Sequence, residues 1–546
     1  MYRKYFTICA ALTYGLSLFA QNAQTNDQLE LPDVTTVINT ENLKVENDAL
    51  PDFNDVLEIS GESGTVTVVL PDVDNQDTQV DVVTEKSTEE KSVFAEGQIG
   101  GGYPFLFEGN FSVFRQTGDN PFKISFNHDS AAGYAGHSLN DGYFDSLTSM
   151  DLEKKLTHKN FEWTVDGSYK RIENGLQNKA EDVSSVNQNL ISGNTEILWK
   201  LPKGNFIGLG LSAKDYIRYA NSSSSASLAE WVKQTQVFSL LPVAWYSWKG
   251  HGFETGVTAD YSLDIYKGAL NRGSFTGNFS WENQYVKLYT DVGIVVSNKM
   301  NSSFTIPFTV GVSSSIPVKF ASRNIALSVE GGCASERTDI ADNEQKFKYA
   351  GFDSLAGENS WFYGKLDFVL PVKNAFTSGL NITYKNTAFS NGLYQPIYES
   401  TSMTNGLYGY EQKRMQLLHA NIDLSYFYKM FSISGNIYGN LFDNIPGEGF
   451  LGFAVNASLS DQKGFWGVDG SFDFKLHDTP KLDMNGFVRI SPAVKLLLQV
   501  EDFLYLVKPG AYRYYGYYAS SIVTDPGYSQ YLDRNGSVTL AMKFNF

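Results

Sequence analysis

The chain has 546 residues, 14% of them aromatic, with 48 Gly, 16 Pro, two Cys and a formal net charge of −17. An acidic balance argues against a nucleic-acid partner. Cys9 falls in the N-terminal apolar run, so Cys333 is the one thiol beyond it; this excludes an internal disulfide and the cysteine-rich zinc and haem motifs, and no cofactor is expected.

Arg3 and Lys4 precede an apolar run from Tyr5 to Phe19, and Ala20 offers a small residue for cleavage. This is the three-part pattern of a secretory signal peptide, too short to span a membrane as a helix. Residues 1–20 are therefore expected to be removed, leaving no lipid anchor. Residues 21–91 carry seventeen Asp and Glu against three Lys, whereas residues 92–546 carry a net charge of only −5. The acidic stretch reads as a mostly disordered periplasmic segment. Two short apolar runs interrupt it, Val34–Ile38 and Thr65–Leu70, and Leu-Pro-Asp-Val occurs at 31–34 and again at 70–73. Either run could add as a strand to a partner's sheet edge; the plainer reading is a flexible leader.

From Ser92 to Phe546 the pattern changes to period-2 alternation. Phe161, Trp163, Val165, Gly167 and Tyr169 share one face, while Glu162, Thr164, Asp166, Ser168 and Lys170 take the other. Val286, Leu288, Val292, Ile294 and Val296 oppose Lys287, Tyr289, Asp291 and Gly293 in the same way. Ala420 to Tyr428 and Trp466 to Phe474 repeat it. The last segment places Val538, Leu540, Met542, Phe544 and Phe546 on one face; an alternating strand ending in Phe is the assembly signal expected of an outer-membrane barrel. The fold class is therefore all-β, a transmembrane antiparallel β-barrel embedded in outer-membrane lipid. The strand count comes to about 20–22, or 16–18 if doubtful pairs merge, and an even number is expected. Trp245-Tyr246-Ser247-Trp248 suits a headgroup-level girdle.

Short turns at Lys249-Gly250 and Lys463-Gly464 read as periplasmic. Longer segments near 130–143, 172–186, 219–230, 334–358, 388–412 and 508–533 read as outer loops. The last contains Tyr512, Tyr514, Tyr515, Tyr517 and Tyr518, which either contact an extracellular ligand or belong to the outer girdle. Enzymatic readings fail. His128-Asp129-Ser130 has triad residue types, but strand neighbours point to opposite faces. Asp423, Asp469, Asp473 and Asp483 alternate with Lys475 and Arg489 as a mixed-charge lumen wall would, and metal ligation is not expected. The inward charges Lys214, Lys287, Asp291, Lys365, Asp367 and Lys385 have both signs, so no simple ion selectivity follows.

The strand count, the long outer loops, the strand Val538 to Phe546 and the first stretch Gly100-Gly101-Gly102-Tyr103-Pro104 with Phe105 to Val113 resemble the barrel of a TonB-dependent receptor. The resemblance covers about 455 residues and implies transport of a solute or nutrient across the outer membrane. It departs from the family at the N-terminus, where residues 21–91 are too short and too polar for the plug domain. Asp33, Val34, Thr35, Thr36, Val37 and Ile38 are loosely similar to the family's energy-coupling box. That similarity implies a periplasmic partner, which either couples energy or supplies a plug. The barrel assembly machinery is the other expected partner. A non-transport adhesin or scaffold barrel is the alternative.

Overall fold

The computed structural model describes residues 93–545 apart from 117–119, 135, 224–226, 299–303, 319–323, 355–356, 374, 388–392, 398–402, 443–449, 477–479, 508–530 and 535. The first strands are β1 (Phe94–Tyr103), β2 (Leu106–Arg115), β3 (Phe122–Ala132), β4 (Phe144–His158), β5 (Phe161–Gly175) and β6 (Val183–Leu201). Next come β7 (Asn205–Ser222), β8 (Gln234–Gly250), β9 (Phe253–Ile265), β10 (Ala269–Glu282) and β11 (Val286–Ser297). They are followed by β12 (Phe308–Ile316), β13 (Ile325–Arg337), β14 (Glu358–Lys373) and β15 (Phe376–Asn386). Four short strands, β16 (Leu393–Pro396), β17 (Met403–Thr404), β18 (Leu407–Tyr408) and β19 (Tyr410–Lys413), form two small ribbons in one connection. The wall resumes with β20 (Gln416–Tyr428), β21 (Phe431–Phe442), β22 (Leu451–Ser460) and β23 (Trp466–Lys475). It ends with β24 (Lys481–Ser491), β25 (Val494–Glu501) and β26 (Ser537–Asn545).

Setting the ribbons aside, 22 strands form one antiparallel sheet in which each strand pairs with its neighbours. β1 pairs with β2 on one side and with β26 on the other, Ile99 opposite Met542 and Gly101 opposite Leu540, so the sheet closes on itself. Closure removes the unpaired edge, which in hydrocarbon would cost several kcal/mol per backbone group. The seam also explains a glycine. A Cβ on Gly102 would lie 1.8 Å from the Val538 carbonyl oxygen, so no larger residue lets β1 approach β26 this closely.

The two faces of each strand divide as the alternation requires. On β11, Leu288, Val292, Ile294 and Val296 are 45–54% exposed on the outside, whereas inward Lys287 is 8% exposed. A large apolar residue with half its surface bare is unfavourable in water and ordinary against lipid. Pro242 sits within β8, where pairing to β9 lapses between Leu240 and Val243, because proline has no N–H to give to the ladder.

One end of the barrel carries mostly tight connections, whereas the other mixes tight ones, such as Pro104-Phe105 between β1 and β2, with long ones. At the first, Lys159-Asn160, Pro202–Gly204, His251-Gly252 and Lys429-Met430 turn β4 into β5, β6 into β7, β8 into β9 and β20 into β21. The turn expected at Lys249-Gly250 falls two residues later, because those two residues extend β8. Trp163, Tyr246, Phe253, Tyr428, Phe431 and Trp466 stand exposed near this turn end, as an interfacial girdle does. The strands that flank all six long segments singled out in the sequence have the ends joined by those segments at the opposite, loop end. β6 and β7 have 19 and 18 residues, more than the roughly 9–11 that cross a bilayer.

Candidate functional site: a roofed lumen

The connection from β13 to β14, residues 338–357, turns across the loop-end mouth and carries a short helix, Ile340–Lys346. Asp339 starts it: its carboxylate accepts the Asp342 amide at 3.1 Å, satisfying a backbone donor that the first turn leaves unpaired. Ile340, Ala341 and Glu344 are buried, although the element is too short to be stable alone. Its position is fixed by contacts to β5, β6 and β7, which lie across β8 to β12 from its own strands.

The strongest of these contacts centres on Glu344. Arg218 on β7 and Glu344 are both fully buried, and Arg218 Nε donates to Glu344 Oε2 at 2.9 Å. Tyr216 Oη donates to the same oxygen at 2.5 Å, and the Phe352 amide donates to Oε1 at 2.8 Å. The rest of the Arg218 fork reaches the carbonyls of Trp231 and Val232 and the Thr235 hydroxyl. A guanidinium and a carboxylate stripped of water in this way are tolerated because every polar atom has a partner; removing either one would strand the other, at about 3–5 kcal/mol.

A second tether lies alongside. Lys214 Nζ donates to Asp339 Oδ2 at 2.9 Å and to Asp342 Oδ1 at 3.1 Å. Arg337 at the end of β13 also pairs with Asp339, at 2.9 Å, and with Asp264 on β9. Burial would raise the Asp339 carboxyl, but Lys214 and Arg337 outweigh it and hold the group below its ordinary value. Lys170 on β5 donates to Gln345 at 2.8 Å, and Gln188 on β6 to the Glu344 carbonyl at 3.3 Å.

An apolar core seals the roof. Leu176, Val183, Val186, Val232, Phe347, Tyr349, Ala350, Leu407, Tyr408 and Tyr531 are buried against one another. Apart from Val183 and Val186 at the start of β6, they come from five connections, so the loops fold together as one layer. Tyr349 and Tyr531 stack with centroids 3.8 Å apart. Burial pushes both phenols well above their ordinary range, which keeps them neutral. Gln177, between β5 and β6, clamps Leu532, between β25 and β26: Nε2 donates to the Leu532 carbonyl and Oε1 accepts its amide, both at 2.8 Å. Tyr531 Oη donates to the Gly406 carbonyl at 2.6 Å. Lys348 pairs with Asp145 at 2.8 Å, and Arg534 joins Asp145 to Asp129. Three separated arcs of the wall, around β5–β8, β13–β20 and β25–β26, thus meet over the lumen.

Beneath the roof is a chamber of about 1430 Å³, with Asp339, Asp342 and Gln345 in its ceiling. Its walls bring acidic Asp151, Asp166, Asp291 and Glu330 and basic Lys365 and Lys385 to one space. Such a surface suits a polar solute and commits to neither sign of charge.

The residues marked in the sequence are distributed unevenly. Phe544 lies on β26, opposite Gly97 and Val494. Phe546, Asp33 to Ile38, and Tyr512, Tyr514, Tyr515, Tyr517 and Tyr518 lie outside the described residues. Asp423 accepts from Asn421 at 2.8 Å and Asp469 from Asn485 at 2.8 Å, so these carboxylates face separate amides. Asp129 points to Arg534, whereas His128 reaches Thr148, a divergence that no triad allows. Lys214, Asp291, Lys365 and Lys385 do line the chamber. Arg218, Glu344 and Gln177 were not singled out in the sequence. The available signal was faint: one arginine on an inner face, and an aspartate opening a seven-residue helix inside a long loop.

No family model matches the chain, and no curated protein matches it. Solved structures do. The barrel is similar to the copper transporter OprC (10% identity, 83% of this chain and 80% of that one, TM-score 0.60). It is similar to the apoprotein form of the FrpB iron transporter from Neisseria meningitidis, F5-1 variant (9%, 84% and 81%, TM-score 0.62). It also resembles a single-residue mutant of the ferric enterobactin receptor PfeA from Pseudomonas aeruginosa (9%, 83% and 80%, TM-score 0.59). At these identities the likeness is one of fold, and the fold is that of the 22-strand TonB-dependent receptor barrel.

Proposed function

We propose that the chain is an outer-membrane transport barrel that passes a polar solute through its lumen, and that its own loops provide the closed state. The roof carries this reading: three arcs of the wall meet through buried ion pairs above a polar chamber of about 1430 Å³. A wide barrel needs something to fill or block it, and these loops block the loop end without a separate domain. The named transporters of copper, iron and ferric enterobactin support the class of activity. The mixed charge of the chamber favours no particular cargo among them. In this reading the loop end faces outward, the turn end faces the periplasm, and residues 33–38 are captured there by an energy-coupling partner through strand addition.

Planar-bilayer conductance of the refolded chain tests the proposal. A small conductance that rises severalfold when Glu344→Gln loosens the roof supports it. A chain that stays silent after the roof is released, while still heat-modifiable as a folded barrel, refutes transport and leaves the adhesin or scaffold reading.

A further inference from the structure

The lipid-facing wall carries two cations at positions where alternation calls for apolar side chains. Arg115, the last residue of β2, lies opposite Phe122 on β3; Phe122 lies opposite Lys154 on β4, and Lys154 opposite Val165 on β5. Phe111, Ile124, Leu152 and Trp163, each an even number of residues away on the same four strands, are exposed, so alternation turns the whole row outward. A charge on the lipid face is costly in the hydrocarbon and nearly free at the interface, so long cationic side chains there reach for the headgroups. The row stands near that level: residues 116–121 join β2 to β3 at the turn end, and Trp163 of the girdle lies opposite Leu156, diagonal to Lys154.

The protein supplies no anion to this row. Arg115 lies over the Phe122 ring, 5.6 Å from its centroid, and its Nε has no hydrogen-bond partner. The carboxylates along this stretch take the inward positions: Asp151, Glu153 and Asp166 line the chamber, and Glu162 pairs with Lys155 and Lys200. Among the described residues neither Arg115 nor Lys154 forms an ion pair. Residues directly opposite in an antiparallel pair are about 5 Å apart, which sets Arg115 and Lys154 about 10 Å apart with the Phe122 ring between them. Two long side chains can converge across that gap on one phosphate, and a guanidinium fork with an ammonium group is the donor set that phosphate oxygens fit. The apolar wall continues from the row on its loop-end side through Ile124 and Leu152, where acyl chains lie.

We propose that Arg115, Phe122 and Lys154 hold one phospholipid against the outside of the barrel at its turn end, with the phosphate between the two cations and the acyl chains along Ile124 and Leu152. The site goes beyond the transport reading, because lipid binds there whether or not a solute crosses the lumen. Native mass spectrometry of the full chain, released from detergent micelles containing dioleoylphosphatidylglycerol, tests it. A saturable adduct of one lipid is expected. Its affinity should fall by about tenfold or more in the Arg115→Gln/Lys154→Gln double variant, as loss of charge-assisted hydrogen bonds implies. That variant should keep the heat-modifiable mobility of a folded barrel, since it only removes charge from the lipid face. The adduct should persist in Lys154→Arg, which keeps the charge, and in Lys159→Gln/Lys203→Gln, which removes two exposed cations from neighbouring turns. No saturable adduct, or equal affinity in the double variant and the parent chain, overturns the proposal. An equal loss in the turn variant would make the attraction one of general rim charge and overturns it too. So does equal retention of dioleoylglycerol, which lacks the phosphate, or equal binding of glycerol phosphate, which lacks the chains.

Discussion

The wall from β5 to β14 and the wall from β20 to β25 are built from the same alternating strands, yet their inner faces are used differently. In the first, inward charges reach far along the chain: Arg218 to Glu344, Lys214 to Asp339, Arg272 to Glu358 at 2.8 Å. In the second, inward polar groups find partners close by. Asn421 donates to Asp423 on its own strand, Asn485 to Asp469 on the next, and Ser432 and Ser458 meet across one ladder at 2.6 Å. Asp423 and Asp469 are exposed, whereas Arg218 and Glu344 are fully buried. Desolvated long-range pairs hold a second layer in place; hydrated short-range ones leave a wall on which a solute can exchange hydrogen bonds. The first wall thus anchors the roof as well as lining the chamber, whereas the second presents exposed groups outside that chamber.

Cutting the buried pair should test that contrast most strongly. Arg218→Ala leaves Glu344 uncompensated and should destabilise the roof by about 3–5 kcal/mol. The barrel, closed by its own ladder, should stay folded. The expected signs are a jump in bilayer conductance and new protease cleavage within 338–357, without loss of heat-modifiable mobility on gels. Replacing both partners, Arg218→Leu with Glu344→Leu, should recover only part of the closure, since no buried charge is stranded but the Tyr216 hydroxyl, the Phe352 amide and the Val232 carbonyl lose their partners.

The Lys214 tether is smaller and depends on pH. The folded chain keeps Asp339 ionised to lower pH than the released loop does, because Lys214 and Arg337 lie against it. Its contribution is therefore complete above the ordinary carboxylate value, about 3.9, and fades as pH falls through the lower folded value. Conductance should remain low from pH 7 down to about 4 and climb only below that. Lys214→Met should move the opening toward the ordinary carboxylate range. Opening that begins near pH 6 would mean that a different group controls the roof.

The Gln177 clamp should give a lesser effect. Gln177→Ala removes both hydrogen bonds to Leu532, including the partner of a buried backbone amide, at about 1–3 kcal/mol. Hydrogen exchange at Leu532 and Tyr531 should accelerate while exchange at Glu344 is unchanged. Equal acceleration at both would show that the roof opens as one unit rather than as two tethered parts.

The barrel was legible because its cause is local. Alternation along Phe161–Tyr169, Val286–Val296 and Trp466–Phe474 is imposed by lipid on one side and polar lumen on the other, so each strand declares itself without reference to any other. β23 runs from Trp466 to Lys475, the bounds its pattern suggests. The roof has no such signature. Glu344 is 126 residues from Arg218, Leu532 is 355 from Gln177, and nothing in the sequence around either marks its partner. Loop residues pair through geometry that exists only once the barrel has set where the connections emerge. Residues 334–358 could be read as a long outer segment, but not as one that folds back over the mouth.

The smallest effect belongs to the other wall, and it decides whether that wall is a surface at all. Asp423 is exposed and accepts a single amide at 2.8 Å from Asn421, so Asp423→Asn should alter stability by no more than about 0.5 kcal/mol. Its effect should appear in permeation instead. With the roof released by Arg218→Ala, reversal potentials in a salt gradient should shift toward anions when Asp423→Asn is added, because one negative charge leaves the lumen wall. The same change made at Asp166, which accepts from Asn194 within the chamber wall, should shift the potential less if solutes follow the β20–β25 side. An equal shift from both positions would mean that ions pass through the chamber as readily as along the hydrated wall, and the division of labour between the two arcs would not hold for permeation.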